Sequence, residues 1–297
     1  AIRRLAQRKP DARTWRPNIL VLSGAPQSRW YLIEMAHALA QRASSMTVAA
    51  VVSGEQWTIE RIRSLRITIG EYLSRRGVEA LVKVLPEEDY LNGAEALVKA
   101  YGFGPLKPNT ILMGDTENTD AIERFAGLIL QIHRMDRNLV LMRERDAEET
   151  NELPEPFYVD IWWSGQQTNI GLILTLAYLL SRTPPWKGAH IRIKRILDNG
   201  ANDEDMSNAI TEHIQAQRLD ADFEPVPRDG METFSLIRHS SVDASLVFLG
   251  LRAPEPEETT AEYAAYYQNL HDNTAGMPVA YVLASNQIDF EKIIGWG

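Results

Sequence analysis

Two glycine-containing loops hold the residue types that could bind a phosphate group. The first is Ser23-Gly24-Ala25-Pro26-Gln27-Ser28, which follows an apolar run and precedes a helical pattern. Doubly wound folds bind phosphate at such a loop through free backbone N–H groups. Ser23, Gly24 and Ser28 are therefore the candidate nucleotide-binding residues, with ATP as the candidate cofactor. Because Pro26 removes one donor and the loop has a single glycine, the pattern favours the other interpretation, a plain strand-to-helix turn.

The second loop has the glycine spacing of a dinucleotide fingerprint in the wrong order. Gly102-Phe103-Gly104 precedes the apolar run Thr110 to Met113, whereas pyrophosphate binding needs the glycines after a strand and at the start of a helix. Lys107 stands where the third glycine should be. We therefore predict that Gly102 ends a helix and that the two prolines after it lead an extended chain into a strand.

No other pattern indicates catalysis or metal binding. The six histidines lie apart, at positions 37, 133, 190, 213, 239 and 271, and no two have the spacing of zinc ligands. The chain has no cysteine, and neither a nucleophile elbow nor a P-loop occurs. We expect no catalytic residue, no metal site and no enzyme activity.

Composition indicates a globular protein of one large or two ordinary domains. The 297 residues are 44% hydrophobic and 24% charged, enough to bury a core. A net charge of -9 argues against a general nucleic-acid binder. The absence of cysteine fits a reducing cytosol. The longest apolar run, Ile170 to Leu180, is shorter than the roughly 20 residues that span a bilayer.

The first sixteen residues are basic in an otherwise acidic chain. They carry Arg3, Arg4, Arg8, Lys9, Arg13 and Arg16 against Asp11 alone. One interpretation is a solvated tail; the other is a juxtamembrane segment, since basic residues collect on the cytoplasmic side of membrane spans. Because the chain begins with Ala1, we expect it to be a piece of a longer protein.

Hydrophobic periodicity predicts strands that alternate with helices throughout the chain. The predicted strands are Asn18–Ser23, Met46–Val52, Val78–Leu85, Thr110–Met113, Asn138–Met142, Tyr158–Trp163, His190–Leu197, Asp222–Val226, Ala244–Gly250 and Val279–Ala284. Helices are predicted between them, one capped by Thr58 and one over Asp203–Gln217. Such alternation is typical of a parallel sheet covered on both faces.

We therefore predict an α/β fold of two tandem doubly wound domains, similar to flavodoxin and universal stress proteins, with mainly parallel sheets. A charged stretch with two prolines and no periodicity interrupts the alternation. The predicted organisation is a linker at 1–16, a first α/β domain at 17–143, a linker at 144–156 and a second α/β domain at 157–297.

Three groups in the second half have open interpretations. Arg192, Lys194 and Arg195 alternate with isoleucines, which favours a half-exposed edge strand protected by cations. Trp162-Trp163 could place one ring in the core and the other at an interface, or both could simply pack. A tyrosine stripe that starts at Tyr263 has helical spacing and indicates core or subunit contact.

Four stretches resemble the cytoplasmic C-terminal domain of cation–chloride cotransporters. Trp15–Gly24 is similar to the opening W-R-P-x-(I/L)-L-V-L-x-G of that family, and Tyr101–Thr110 is similar to its Y-G-L-G-x-(L/M)-K-P-N-T signature. Asp160–Trp163 resembles D-(I/V)-W-W, and His190–Ile193 stands at a basic apolar strand of the family. The four matches follow the family's order and cover most of the chain.

The resemblance implies a regulatory and dimerisation domain of a membrane symporter that carries chloride with potassium, sodium or both. It implies a location on the cytoplasmic side of the cell membrane and two partners, a second copy and the protein's own transmembrane domain. It also implies two subdomains similar to universal stress proteins. No long phosphorylatable insertion is present, which favours a prokaryotic member.

The second functional hypothesis is a nucleotide-binding sensor of the universal-stress type. The nucleotide signature G-x2-G-x9-G-(S/T) of that family is not evident after the fourth strand, where Gly114-Asp115-Thr116-Glu117 stands instead. Two acidic side chains in this position would repel phosphate. We therefore expect no cofactor on the regulatory hypothesis and ATP on the sensor hypothesis.

Overall fold

The computed structural model describes residues 15–40, 44–54, 57–104, 107–116, 118–144, 156–164, 167–197 and 220–286. The chain divides into two units. One comprises Ala1–Leu141, Pro254–Ala265 and Ser285–Ile288, and the other Met142–Ala253, Tyr266–Ala284 and Asp289–Gly297. The boundaries predicted from the sequence stay predictions, and most of the predicted linker 144–156 lies outside the described residues.

The first unit alternates strands with helices. Its elements are β1 (Ile19–Leu22), α1 (Trp30–Leu39), β2 (Met46–Val52), α2 (Ile59–Arg75), β3 (Leu81–Pro86), α3 (Tyr90–Ala100), β4 (Thr110–Gly114), α4 (Ile122–Arg134) and β5 (Asn138–Arg143). The strand order is β3-β2-β1-β4-β5, and β1 is parallel to both β2 and β4. Every residue of β1 and β4 is buried, so these central strands form the core.

The second unit repeats this arrangement. Its elements are β6 (Tyr158–Trp162), α5 (Gln167–Leu180), β7 (His190–Leu197), β8 (Ala221–Pro227), α6 (Thr233–Ser240), β9 (Leu246–Gly250), α7 (Thr260–Asn273, of which only the part from Tyr266 belongs to this unit) and β10 (Val279–Leu283). The order is β8-β7-β6-β9-β10, and all four neighbouring pairs are parallel. The predicted helix Asp203–Gln217 lies outside the described residues.

The predicted fold class is confirmed, with a strand order that periodicity did not provide. Numbered within each unit, the strands run 3-2-1-4-5, the order of the dinucleotide-binding fold, whereas flavodoxin has 2-1-3-4-5. In this order the second and third strands lie on one side of the first strand, and the fourth and fifth lie on the other side. The order of the strands therefore reverses between the first and fourth strands. The crevice at their carboxyl ends is the place where such sheets bind ligands.

The predicted start of the third strand at Val78 is wrong. The Val78 N–H instead donates to the carbonyl of Leu73, and the Gly77 N–H donates to that of Ser74, while Gly77 has φ +76°. This pairing is a Schellman motif, which terminates a helix with a left-handed glycine. The motif takes up the residues after α2, so β3 begins only at Leu81.

Other local predictions are confirmed. The hydroxyl of Thr58 accepts a hydrogen bond from the Arg61 N–H at 3.3 Å and caps α2. Gly102 follows the end of α3 with φ +82°, as expected of a helix stop. The rings of Tyr263 and Tyr267 are fully buried, so the tyrosine stripe belongs to the core.

Candidate functional site

The start of the first strand is held by an asparagine 91 residues further along the chain. Oδ1 of Asn109 accepts the Asn18 N–H at 2.9 Å, and its Nδ2 donates to the Arg16 carbonyl at 2.9 Å. The N–H groups of Asn109 and Thr110 both donate to the Asn18 carbonyl, at 3.0 and 3.1 Å. Two stretches that resemble the cotransporter family are thus one hydrogen-bonded structure, which we call the asparagine junction (Trp15–Asn18, Ser45, Asn109, Thr110).

The asparagine junction also reaches β2 and β5. Oδ1 of Asn18 accepts from both the N–H and the hydroxyl of Ser45, at 3.2 and 3.1 Å. The Asn138 N–H, at the start of β5, donates to the Asn109 carbonyl at 2.9 Å. Trp15 is 6% exposed and anchors the approach to β1. Four strands of the first unit therefore begin from one network.

The groups of the asparagine junction hold structure together and have no catalytic chemistry. Its groups are amides, hydroxyls and main-chain carbonyls, and none of these titrates near neutral pH. The Asn109 side chain donates to the Arg16 carbonyl and accepts from the Asn18 N–H. Neither aspartate nor leucine can both donate and accept in this way. The junction therefore fixes the position at which Trp15–Asn18 lead into β1.

The predicted phosphate loop lies at the carboxyl end of β1. The Ser23 side chain is fully buried, and its hydroxyl has no hydrogen-bond partner among the described residues. Gly24 has φ +64°. Ser28 turns away from the strand ends, since its N–H and hydroxyl both donate to the Ala25 carbonyl, at 3.2 and 3.0 Å. The structure thus brings Ser23 and Gly24 to the crevice and leaves Ser28 in its own turn.

Side chains from α1 occupy the crevice between β1 and β4. A Cβ atom at Gly114 would lie 2.8 Å from Nη1 of Arg29 and 3.1 Å from the Tyr31 hydroxyl. Asp115, the next residue, is 8% exposed. Gly114 is therefore a cradle for Arg29 and Tyr31, and a phosphate would have to displace them in the presence of a buried carboxyl group.

Tyr90 covers the end of β1. Its hydroxyl donates to the Leu22 carbonyl at 2.9 Å. Burial raises the pKa of this phenol to about 12, so it remains a neutral donor at physiological pH. The carbonyl that ends β1 is thus bonded within the protein.

The second unit fills the equivalent crevice with an asparagine. Nδ2 of Asn169 donates to the Leu251 carbonyl at 2.5 Å, and its Oδ1 accepts the Ala284 N–H at 2.8 Å. A Cβ at Gly250 would lie 3.1 Å from Asn169 Nδ2. The pocket that remains beside Trp162 and Asn169 has a volume of about 10 Å³, roughly the space of one water molecule.

Arg29 and Asn169 were missed by sequence reasoning. Each stands seven residues after the last residue of its unit's first strand, and each side chain lies against the glycine that ends the fourth strand. This equal spacing is a signal that a comparison of the two halves could have found.

A buried ion cluster joins the other two family-like stretches. Asp160 is fully buried, with Oδ1 2.6 Å from Nε of Arg192 and Oδ2 3.1 Å from Nζ of Lys194. Lys194 also donates to the Ser240 carbonyl. Arg192 makes two further bonds to Asp243, at 2.8 and 3.0 Å, and these hold the pKa of the Asp243 carboxyl below its ordinary value.

The edge-strand interpretation of Arg192 and Lys194 is wrong. Their strand, β7, pairs with β6 on one side and β8 on the other, so it is not an edge strand. The two cations can be buried there because they neutralise Asp160. Of the two interpretations of Trp162-Trp163, the structure supports the packing of both rings. Trp162 and Trp163 are 6% and 8% exposed, and Trp162 Nε1 donates to the Ser241 hydroxyl at 2.9 Å.

The described residues hold neither a cluster of metal-ligating side chains nor a membrane-spanning helix. In that part of the chain no three His, Asp or Glu side chains are grouped so as to hold a metal ion. Nor does any described helix combine the length and the apolar character needed to cross a bilayer.

Comparison with known proteins supports the resemblance. The family model described as solute carrier family 12 matches residues 29–155. Potassium/chloride cotransporter 3 of Caenorhabditis elegans is 26% identical over 235 residues, which cover 74% of this chain and 22% of that protein. A bumetanide-sensitive sodium-(potassium)-chloride cotransporter of Manduca sexta is 33% identical over 111 residues, or 37% of this chain and 10% of that protein.

Solved structures show the same fold. The cytoplasmic domain of a prokaryotic cation chloride cotransporter superposes with a TM-score of 0.65 and 17% identity, covering 94% of this chain and 100% of that one. A universal stress protein of Archaeoglobus fulgidus gives a TM-score of 0.54 and 12% identity, covering 92% of this chain and 98% of that one.

The resemblance to cation–chloride cotransporters is thus confirmed by sequence and by fold. The chain spans 22% or less of the curated relatives named above.

Proposed function

We propose, from the similarity to solute carrier family 12, that this chain is the cytoplasmic regulatory and dimerisation domain of a secondary transporter. The transporter carries chloride together with potassium, sodium or both. The ion path belongs to a transmembrane part outside this chain, and the chain has no enzymatic role.

The asparagine junction is the observation that carries this proposal. It ties the end of the basic segment 1–16, at Arg16, and Asn18 after it to the starts of four strands of the first unit. A displacement of the segment would be passed to the sheet as a whole, because strands in one network move together. Such a connection suits a domain that is coupled mechanically to a membrane part before Trp15.

The direct test begins with the reading frame upstream of Ala1. We expect about twelve apolar spans of roughly 20 residues each before it, and their absence would overturn the proposal. In the full-length protein, Asn109→Ala should alter chloride-dependent cation uptake into vesicles while the amount of inserted protein stays equal. Asn269→Ala, an exposed asparagine site on α7, is the matched control and should leave uptake unchanged.

A universal-stress-type nucleotide sensor is the second candidate, and one observation favours it. In the part of the chain that the structure describes, the buried Ser23 hydroxyl lacks a hydrogen-bond partner, and it lies at the crevice where the strand order reverses. Arg29 lies in the same crevice beside Gly114 and could turn its guanidinium toward a phosphate. Against this fit stand the absent glycine signature and the buried Asp115.

Calorimetry with ATP separates the two candidates. The sensor hypothesis expects a saturable heat of binding at millimolar ATP or below. Arg29→Leu should then lower the affinity for ATP at least tenfold. The regulatory hypothesis expects no heat from either protein. Lys187→Leu, a substitution of an exposed cation in the second unit, controls for a general loss of positive charge.

A further inference from the structure

Helix α2 is the least buried helix of the described first unit. Only Ile69 and Leu73 of its 17 residues are buried. Ile59 and Ile67 are 80% and 50% exposed. A helix that shows apolar side chains on its outer surface has a face that solvent does not stabilise.

The exposed apolar residues alternate with charges along one row of the helix. Ile59, Arg63, Ile67, Glu71 and Arg75 are each four residues apart, the spacing that forms a ridge on a helix surface. All five are exposed. We call this row the isoleucine ridge.

The isoleucine ridge is complementary to itself when reversed about Ile67. Arg63 lies four residues before Ile67, and Glu71 lies four residues after it. In an antiparallel pair related by a two-fold axis at Ile67, Arg63 of one copy faces Glu71 of the other. Ile59 then faces Arg75, whose methylene stem can cover an apolar neighbour.

The charges of the ridge are available for such pairing. Within the described part of the chain, Arg63 makes no ion pair. Glu71 has a contact with Arg75 at 3.9 Å, and both side chains are largely exposed, 65% and 74%. An exposed pair at this distance contributes little, so exchange for a partner across an interface costs little.

We infer that the isoleucine ridge of α2 packs against the same ridge of a second copy of this chain, antiparallel and with the two Ile67 side chains in contact. The inference rests on the proposed dimerisation and names its surface. Since one helix pair buries less than a standard interface of about 1,600 Å², the dimer is weak in solution and is favoured by tethering in a membrane.

Other occupants fit the first unit less well. α2 begins after the carboxyl end of β2, whereas the asparagine junction lies at the amino ends of the strands. The exposed Ile59 is thus at the opposite end of the unit from the asparagine junction and its Arg16, which disfavours a lipid surface. Pairing at the edge strand β3 is opposed by Lys83 and Pro86.

Cysteine crosslinking tests the inference because the chain has no native cysteine. Ile67→Cys should form a disulfide-linked dimer, since the two Ile67 positions meet at the axis. Ile59→Cys is the matched control on the same ridge. Its two copies would be about 24 Å apart, at 1.5 Å per residue over twice eight residues, and disulfides need Cα atoms within about 7 Å.

Charge reversal gives a second measurement. By sedimentation, Arg63→Glu and Glu71→Arg should each raise the dimer dissociation constant about tenfold, and the double variant should return it toward the starting value. A structural defect in either variant would not be repaired by the second reversal.

The outcomes separate this inference from the proposed function. A monomer at every concentration and in the full-length protein would overturn both. A dimer that Ile67→Cys does not crosslink, or that ignores both reversals, would overturn the ridge alone. Binding to phosphatidylserine vesicles that Arg63→Glu abolishes, without crosslinking, would assign the ridge to lipid and overturn the inference.

Discussion

Asn109 holds Asn18 through both its side chain and its main chain. Oδ1 of Asn109 accepts the Asn18 N–H at 2.9 Å, while the Asn109 N–H donates to the Asn18 carbonyl at 3.0 Å. The two residues are partners across 91 positions of sequence, and this relationship sets the register between β1 and β4, where Ile19 pairs with Thr110.

Asn109→Ala should lower the free energy of unfolding by about 1–3 kcal/mol, because it leaves the Asn18 N–H and the Arg16 carbonyl without their partner. Urea denaturation measures this loss. Asn109→Asp keeps the acceptor for the Asn18 N–H but places a carboxylate oxygen against the Arg16 carbonyl, where two acceptors repel, so it should also destabilise the protein. Equal stability of Asn109→Ala and the unchanged protein would show that the side chain does not hold the junction.

Gly104→Val should destabilise the first unit by about 1–2 kcal/mol, because Gly104 has φ +53° and side chains disfavour left-handed backbone. The cost comes from the backbone alone, since a Cβ there would meet nothing within 4 Å. Gly104→Asn is the control, because asparagine tolerates this region better. Thermal unfolding that ranks valine as no worse than asparagine would contradict the explanation.

Gly93→Ala should destabilise the protein although alanine normally favours a helix. A Cβ at Gly93 would lie 2.4 Å from Cγ1 of Val51, and such overpacking typically costs about 1–3 kcal/mol. Val51→Ala in the same chain should recover part of the loss. Gly127→Ala is the matched control in α4, since its Cβ would make an ordinary contact at 3.5 Å. Urea unfolding of the unchanged protein, Gly93→Ala, Val51→Ala and the double variant measures the coupling, with Gly127→Ala unfolded beside them.

Stability should fall in acid partly through Asp243. Hydrogen bonds from Arg192 lower the pKa of its carboxyl below the ordinary 3.8 in the folded state, so the unfolded chain takes up the proton first. The contribution is fully present above pH of about 4 and is lost as the pH falls through the lower folded-state pKa.

Urea unfolding between pH 6 and pH 2 measures this contribution. Asp243→Asn should have a smaller drop in stability below about pH 4 than the unchanged protein has. Because Asp243 is about half exposed, the difference should be small and should shrink in high salt. An identical pH profile for both proteins would show that the ion pair between Arg192 and Asp243 adds no stability.

Periodicity and local capping determined much of the fold from the sequence alone. Short apolar runs separated by helical patterns predicted the described strands and their mainly parallel pairing, because each run must be buried on both faces. Thr58 and Gly102 act locally, on groups within a few residues, so their roles could be predicted without knowledge of the partners.

Tertiary structure decided the strand order and the side chains that meet at the strand ends. Across long stretches of chain, Asn109 forms hydrogen bonds with Asn18, Asp160 forms an ion pair with Lys194, and Arg29 lies against Gly114. No short-range pattern marks such pairs, since each depends on which strands become neighbours. For the same reason the cations of β7 predicted an edge strand from the sequence. In the structure Asp160, on the adjacent β6, supplies the negative charge that allows these cations to be buried.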